Sequence, residues 1–397
     1  MPSQESYHDA LLRVIDEVVA PGAASVDADG VFPQAQVDAL GAAGLLALTV
    51  PAEHGGAGAG LAEAAWVIRE LGSVCGSTAM IVTMHYSAVA ALAAAGDKET
   101  LAAVGGGRHL STLAFSETGS RSHFWAPGSS AVLEPGVPEP GVPEPAAPGT
   151  GGRAVRLDAG KSWVTSAGHA DSYVWSSRPL SDAAAGPMTL WLVPEGTPGL
   201  SVSGAFDGLG LRGNSSAPMT ADGVRVPPDA MLGEDGAGLD LALAAVLPYF
   251  LICSAAMSAG LMRRLAAETA AHLARTHLTH LGVSLAQQAG PRAQLARLRI
   301  EADRTWAHVT EALSAVATGR EDAQLLVLEV KAAAGEAAAD AADLALRACG
   351  GSAFRKESVI ERLFRDSRAA RVMAPTTEAL YDFIGRALLG LPLLGDV

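Results

Sequence analysis

Along the first quarter of the chain, from residue 8 to about 107, apolar residues recur at helical spacing, as at Leu11, Leu12, Val14, Ile15, Val18 and Val19. Gly and Pro punctuate 51–60, and 64–74 reads as the next helix. We therefore assign 1–109 to an N-terminal helical domain. The period then shortens. Runs at 112–115, 154–157, 172–176, 189–193, 200–202 and 223–226, separated by Gly and Pro, predict a small antiparallel, barrel-like β-domain over 110–232. From 233 to 397 the helical period returns, with long helices predicted at 239–272, 292–317, 322–348 and 374–389, the pattern of an up-and-down four-helix bundle. The fold class is mainly α with a central β-domain.

Two segments interrupt this order. Inside the β-domain, near 127–152, a short Pro-Gly-Glu unit is almost duplicated; prolines without amide donors and little apolar bulk predict a solvated, extended loop. The apolar run 239–262 is long enough to span a membrane, but it contains Pro248 and lacks flanking aromatic belts, so it reads as a buried bundle helix. Hydrophobic residues make up 49% of the chain and aromatics only 5%, which favours close-packed helices with small contact residues. The net charge is −14 with no basic run, which argues against direct nucleic-acid binding. Cys75, Cys253 and Cys349 are far apart and form no CxxC pair, and residues 1–17 lack an apolar signal core. A reduced, cytoplasmic setting without membrane insertion is the expectation.

The candidate chemistry lies in three stretches. Near the C-terminus stand Gly350-Gly351-Ser352-Ala353-Phe354, Glu361-Arg362, Arg365-Asp366-Ser367-Arg368 and Met373-Ala374-Pro375-Thr376-Thr377-Glu378. The β-domain contributes Lys161-Ser162-Trp163-Val164-Thr165-Ser166 and, upstream, Phe115-Ser116-Glu117-Thr118-Gly119. An indole offers a flat apolar wall to a ring system, and a neighbouring Thr can hydrogen-bond its edge. His277 and His280 invite a metal reading, but no third ligand accompanies them and they read as helix-surface residues.

Together these stretches resemble the acyl-CoA dehydrogenase family, and helical, β, helical bundle is that family's order. The resemblance implies FAD as cofactor. Phe115 and Ser116 would meet the pyrimidine end of the flavin, Ser122 the phosphate side, and Trp163 and Thr165 the ring. Arg275, Gln287, Gly350, Gly351 and Thr376 would meet the diphosphate and adenosine, some of them across a subunit interface, which implies a homodimer or homotetramer. His123, Arg212, Tyr249, Phe250 and Met373 are the implied substrate-side residues. His123 is followed by Phe124-Trp125, which either reshape the substrate entrance or prop the insert.

The family's usual catalytic base is a Glu where this chain has Ala374, followed by Pro375 in place of Gly. A methyl group accepts no proton, although the backbone N–H at 374 is kept. The alternative base position of the family falls near Phe250, which has no carboxylate, beside Tyr249, whose phenol is a poor base near neutral pH; Glu378, one helical turn beyond Ala374, is the candidate for a relocated base. Three readings follow from the resemblance: oxidation of an acyl thioester, on CoA or a carrier protein, with electrons passed to an acceptor flavoprotein; a flavin monooxygenase of the same fold supplied by a flavin reductase; or a flavin-binding protein with little turnover.

Overall fold

The computed structural model describes residues 6–120, 123–134 and 153–394. Six helices form the N-terminal unit: α1 (Tyr7–Val14), α2 (Ala20–Asp29), α3 (Gln34–Ala42), α4 (Leu61–Gly72), α5 (Gly76–Ala95) and α6 (Lys98–Gly105). Ser6 caps α1 by accepting from the Asp9 N–H at 3.2 Å, and Asp97 caps α6 by accepting from the Thr100 N–H at 2.9 Å. Helix α5 is apolar on all sides and correspondingly buried, packed between α4, the first strand and the bundle.

Among the described residues eight strands follow: β1 (Ser111–Ala114), β2 (Ser130–Glu134), β3 (Ala154–Val164), β4 (Ser172–Ser177), β5 (Thr189–Pro194), β6 (Leu200–Val202), β7 (Ala217–Val226) and β8 (Met231–Leu232). They make two open four-stranded sheets, in the orders β1-β4-β5-β8 and β2-β3-β7-β6. The expected antiparallel, barrel-like β-domain is present, and the structure adds two details to it. The sheets do not join into a barrel, and β1 pairs in parallel with β4, Ser111 opposite Ser172. The Pro/Gly-rich insert is also shorter than its composition suggests, because Ser130–Glu134 pairs with β3; its residues 135–152 lie outside the described residues.

The C-terminal unit holds α7 (Gly238–Leu241), α8 (Leu247–Arg275), a hairpin of β9 (His277–Leu278) and β10 (Val283–Ser284), α9 (Ala289–Thr318), α10 (Ala323–Cys349), α11 (Val359–Asp366), α12 (Ala369–Val372) and α13 (Thr377–Leu388). Helices α8, α9 and α10 pack against one another, α13 lies on α10, and α4 lies on α8. The run predicted as one helix from 239 is continuous to Arg275, with a π-helical turn at Ala242–Val246 just before Pro248, where the Leu247 N–H bonds the Ala242 carbonyl and the regular ladder is already shifted next to the residue that has no N–H to give. At the α4–α8 crossing the backbones touch: a Cβ on Gly260 would fall 2.0 Å from the Arg69 carbonyl oxygen. The stretches Gly76–Ala95 and Gly238–Arg275 are long and apolar enough to cross a membrane, yet about 72% and 67% of their most apolar windows are buried within the protein. The three cysteines are buried and free.

Candidate functional site

The strand that carries Trp163 is anchored by a buried ion pair two residues before it. Lys161 Nζ donates to Glu117 Oε1 at 2.6 Å, to the Ser176 carbonyl at 2.7 Å and to Ser176 Oγ at 2.9 Å. Glu117 in turn accepts from the Gly128 N–H at 2.6 Å, the Ser129 N–H at 3.1 Å and Ser129 Oγ at 2.5 Å. Burial pushes the Glu117 carboxyl up, but the Lys161 ammonium and the hydrogen bonds from Lys161, Ser129 and Gly128 hold it below its ordinary value. The pair fixes where β3 begins its turn and where Gly128 and Ser129 lie against it.

At the end of β3 the backbone of Trp163 is left-handed, with φ 58°, so its indole leaves the sheet and stands 68% exposed. The ring of Phe206 stands at right angles to it, 6.5 Å between ring centres. The turn that follows is sewn to the Gly-rich loop 208–216: the Ser166 N–H donates to the Asn214 carbonyl at 2.9 Å and the Ala167 N–H to the Ser215 carbonyl at 3.1 Å. Thr165 is buried, its hydroxyl 3.0 Å from Ser216 Oγ. That loop leans on α11, where Asp366 accepts from the Leu211 N–H at 2.7 Å. Arg212, read as a substrate-side residue, turns to the N-terminal unit instead: its Nε donates to the Asp27 carbonyl at 2.7 Å.

Phe115 extends β1, and the Ser116 carbonyl accepts from the Ser162 N–H at 2.9 Å, so both stand on the β3 side of the domain. Ser122 lies outside the described residues. His123 is exposed, its ring 4.9 Å from that of Trp125. Phe124 and Trp125 are buried rather than exposed; Trp125 meets the edge of Phe383 on α13 at 5.3 Å, and Phe124 faces Phe115 at 6.5 Å. These two aromatics therefore tie the β-domain loop to the bundle.

On the bundle side, the neighbours Tyr249 and Phe250 face different ways. Phe250 joins the apolar cluster of Phe124, Trp125, Leu380 and Phe383, while Tyr249 packs on the cluster formed by the N-terminal helices and the β-domain. Met84 and Met373 touch both clusters and mark the seam between them. Burial, and to a lesser degree Cys253 and Glu63, pushes the Tyr249 phenol up to about 12, which makes it a donor and not a base at neutral pH. Ala374 follows Met373 in a half-exposed loop, and among the described residues nothing accepts from its N–H. Thr376 caps α13, accepting from the Ala379 N–H at 3.3 Å, so the helix predicted from 374 begins at Thr377. Glu378 is exposed in the first turn of α13. Behind the loop, fully inside the bundle, the Lys331 amine donates to the Met373 carbonyl at 2.9 Å and to the Pro375 carbonyl at 2.6 Å. Burial lowers that amine to about 7, opposed by the Glu378 carboxylate.

A second concavity opens at the far end of the bundle. Arg275, Cys349, Ser352, Ala353, Ser358 and Ile360 are among the residues lining a cavity of about 290 Å³. Two carboxylates in its wall, Glu268 and Glu357, are held by Arg264 at 2.8 Å and Arg355 at 3.5 Å, whereas among the described residues no carboxylate pairs with Arg275. Gly350 adjoins this cavity with φ 58°, and no atom lies within 4 Å of a Cβ built on it or on Gly351. Gln287 is exposed, its side chain accepting from the Ser284 N–H at 2.8 Å. His277 and His280, expected on a helix surface, lie on the β9–β10 hairpin and its turn.

An exposed indole set off its sheet by a left-handed residue, and an unpaired arginine beside bare glycine backbone, fit the two ends of FAD: a flat apolar ring system and a diphosphate. Lys161, Glu117 and Lys331 were not singled out from the sequence. Lys331 has a recoverable signal, since it shares a helical face with Val327, Ala334 and Ala338, all buried.

Three family models match the chain: acyl-CoA dehydrogenase, N-terminal domain, at residues 1–103; middle domain, at 140–224; and C-terminal domain, at 236–389. The mitochondrial short-chain specific acyl-CoA dehydrogenase of Homo sapiens is 29% identical over 390 residues, covering 94% of this chain and 87% of that protein. The solved structure of butyryl-CoA dehydrogenase from Megasphaera elsdenii superposes with a TM-score of 0.85 at 20% identity, covering 98% of this chain and all of that one. That of FkbI, described as serving biosynthesis of the methoxymalonyl extender unit of Fk520, has a TM-score of 0.79 at 26% identity, covering 96% of this chain and 100% of FkbI.

Proposed function

The chain belongs to the acyl-CoA dehydrogenase family and is an FAD-dependent oxidoreductase, and on that premise we propose that it oxidises an acyl thioester, carried on CoA or a carrier protein, at its α and β carbons. FAD, when bound, accepts the hydride leaving the β carbon at its N5. Trp163 would form the wall of the ring site, Thr165 would hold the ring edge, and the backbones of Phe115 and Ser116 would meet its pyrimidine end. Arg275, Gln287, Gly350 and Gly351 of a second copy hold the diphosphate and adenosine, and Thr376 closes the ADP side, so the working form is a homodimer or homotetramer. An electron-transferring flavoprotein takes the electrons onward.

The observation that carries this reading is the seam between the two apolar clusters, which Met84 and Met373 both touch, Met373 being followed by Ala374, whose N–H has no acceptor among the described residues. The seam suits an acyl chain, and the N–H suits a thioester oxygen that gains charge as the α-proton leaves. Ala374 and Phe250 supply no proton acceptor, and Tyr249 is held protonated by burial. A positioned general base contributes about 10²–10⁴-fold. We infer that the substrate makes up this difference with an α-proton acidified by a second electron-withdrawing group.

The same missing carboxylate favours a second reading, a flavin monooxygenase of this fold supplied by a flavin reductase. The two separate in one experiment: anaerobic mixing of the FAD-loaded protein with a panel of acyl thioesters. Bleaching of the oxidised flavin band with stoichiometric enoyl product supports the dehydrogenase. Absence of bleaching, with oxygen-dependent substrate oxygenation by the chemically reduced protein, supports the monooxygenase. Neither result would leave a flavin-binding protein with little turnover.

A further inference from the structure

The buried Lys331 has no place in the chemistry above, yet it grips the loop on which that chemistry depends. Its Nζ lies 2.9 Å from the Met373 carbonyl oxygen and 2.6 Å from that of Pro375, the two carbonyls that bracket Ala374. Lys331 is 1% exposed and reaches the loop from α10 inside the bundle, whereas Ala374 is partly exposed. The Met373–Ala374 peptide is trans, so its C=O and N–H point in opposite directions. Drawing the Met373 oxygen inward to the amine therefore turns the Ala374 N–H outward, which agrees with its having no acceptor among the described residues.

We propose that Lys331 is a positioning residue: by clamping the carbonyls on either side of Ala374 it aims the Ala374 N–H at the carbonyl oxygen of the bound acyl thioester. This rests on the thioester reading of the preceding subsection. It also accounts for a loop that keeps a usable backbone donor although the side chain at that position has no polar atom. A fixed donor acts without reorganising when charge develops on the oxygen, and only a clamp on the same peptide fixes it. Either protonation state of the amine retains at least two N–H groups, enough for both carbonyls.

The test compares two probes on the FAD-loaded protein by calorimetry. Acetyl-CoA has the thioester carbonyl but no β-hydrogen to lose, so binding is read without turnover; S-ethyl-CoA lacks the carbonyl oxygen. In the wild type acetyl-CoA should bind more tightly. In Lys331→Met that preference should shrink about three- to tenfold, the range of one aimed hydrogen bond, while S-ethyl-CoA affinity and flavin content stay unchanged. A merely structural role would weaken both probes together. If Lys331→Met fails to fold, Lys331→Gln, whose amide nitrogen stops one bond short of the amine position, provides the same comparison with a polar side chain in place of the apolar one. A folded variant that keeps the wild-type preference would overturn the positioning role alone. A wild type that does not distinguish the two probes would overturn the thioester reading and this proposal with it.

Discussion

Replacing Glu117 by Gln keeps the shape of the side chain and removes the charge that matches Lys161. The Lys161 side chain is fully enclosed and that of Glu117 is 8% exposed, so the ammonium left behind has no solvent to turn to. Breaking a buried pair by removing one partner costs about 3–5 kcal/mol, against a net stability of about 5–15 kcal/mol for a typical domain. The glutamine also presents an NH₂ group where Gly128, Ser129 and Lys161 all donate, so at least one buried donor loses its acceptor. Adding Lys161→Met removes the stranded charge, and the double variant should recover part of the loss, with a coupling of about 0.5–3 kcal/mol. Urea unfolding followed by far-UV circular dichroism gives the stability change, and equilibrium dialysis of FAD gives the consequence two residues on, at Trp163, where affinity should fall in Glu117→Gln. If Glu117→Gln loses less than about 1 kcal/mol and the second substitution restores nothing, the pair does not anchor the strand and the reasoning is refuted.

Three further outcomes are expected. Trp163→Ala should weaken FAD binding about tenfold, on the scale of an aromatic stacking contact, while leaving the urea midpoint nearly unchanged because the indole is 68% exposed; a large loss of stability instead would show that the ring is a core residue. Ala374→Glu should accelerate flavin reduction by a simple saturated acyl-CoA at least about a hundredfold in stopped-flow absorbance, and an unchanged rate would mean that another group already removes the α-proton. His85 is buried between α5 and β1, its Nε2 bonded to the Leu46 carbonyl at 2.9 Å and its Nδ1 accepting from the Ser111 N–H at 3.1 Å; burial lowers its pKa to about 4, opposed by its contacts with Leu46 and Ser111. Its folded value lies below the unfolded one of about 6.5, so between those values the unfolded chain binds the extra proton. Stability is therefore full above about pH 6.5 and falls as pH drops towards 4, by about 3 kcal/mol, a slope that urea titrations should find missing from His85→Leu.

Much of this architecture was legible because hydrophobic period and Gly/Pro punctuation report local structure directly. The long helices were placed within a few residues, and Leu200–Val202 coincides with its prediction. What the pattern could not report was partnership. The β1–β4 parallel pairing depends on how two separated runs meet. Strand β2 was hidden because the Pro-Gly repeat beside it dominated the reading of the whole insert. Whether Phe124 and Trp125 reshape the entrance or prop the insert stays open in the sequence, since nothing local reveals that Phe383, some 260 residues later, meets Trp125 and joins both in one apolar cluster. Trp163 was found through its neighbours in sequence, but its exposure follows from a left-handed backbone that no side-chain pattern announces. The lysines were the hardest, because a charge in a strand or helix ordinarily reads as a solvated face, and only the packing shows that Lys161 and Lys331 point inward.

The central claim is that this chain passes a hydride from an acyl thioester to FAD with Ala374 supplying a backbone donor and no side-chain base. The most direct measurement is anaerobic rapid mixing of the FAD-loaded protein with an acyl thioester that reduces it, in unlabelled and β-deuterated forms, following the oxidised flavin band. The account predicts reduction that is slowed several-fold by β-deuteration, because the bond to that hydrogen breaks as the flavin is reduced. Reduction at the same rate with both forms, or no reduction by any acyl thioester, would contradict it.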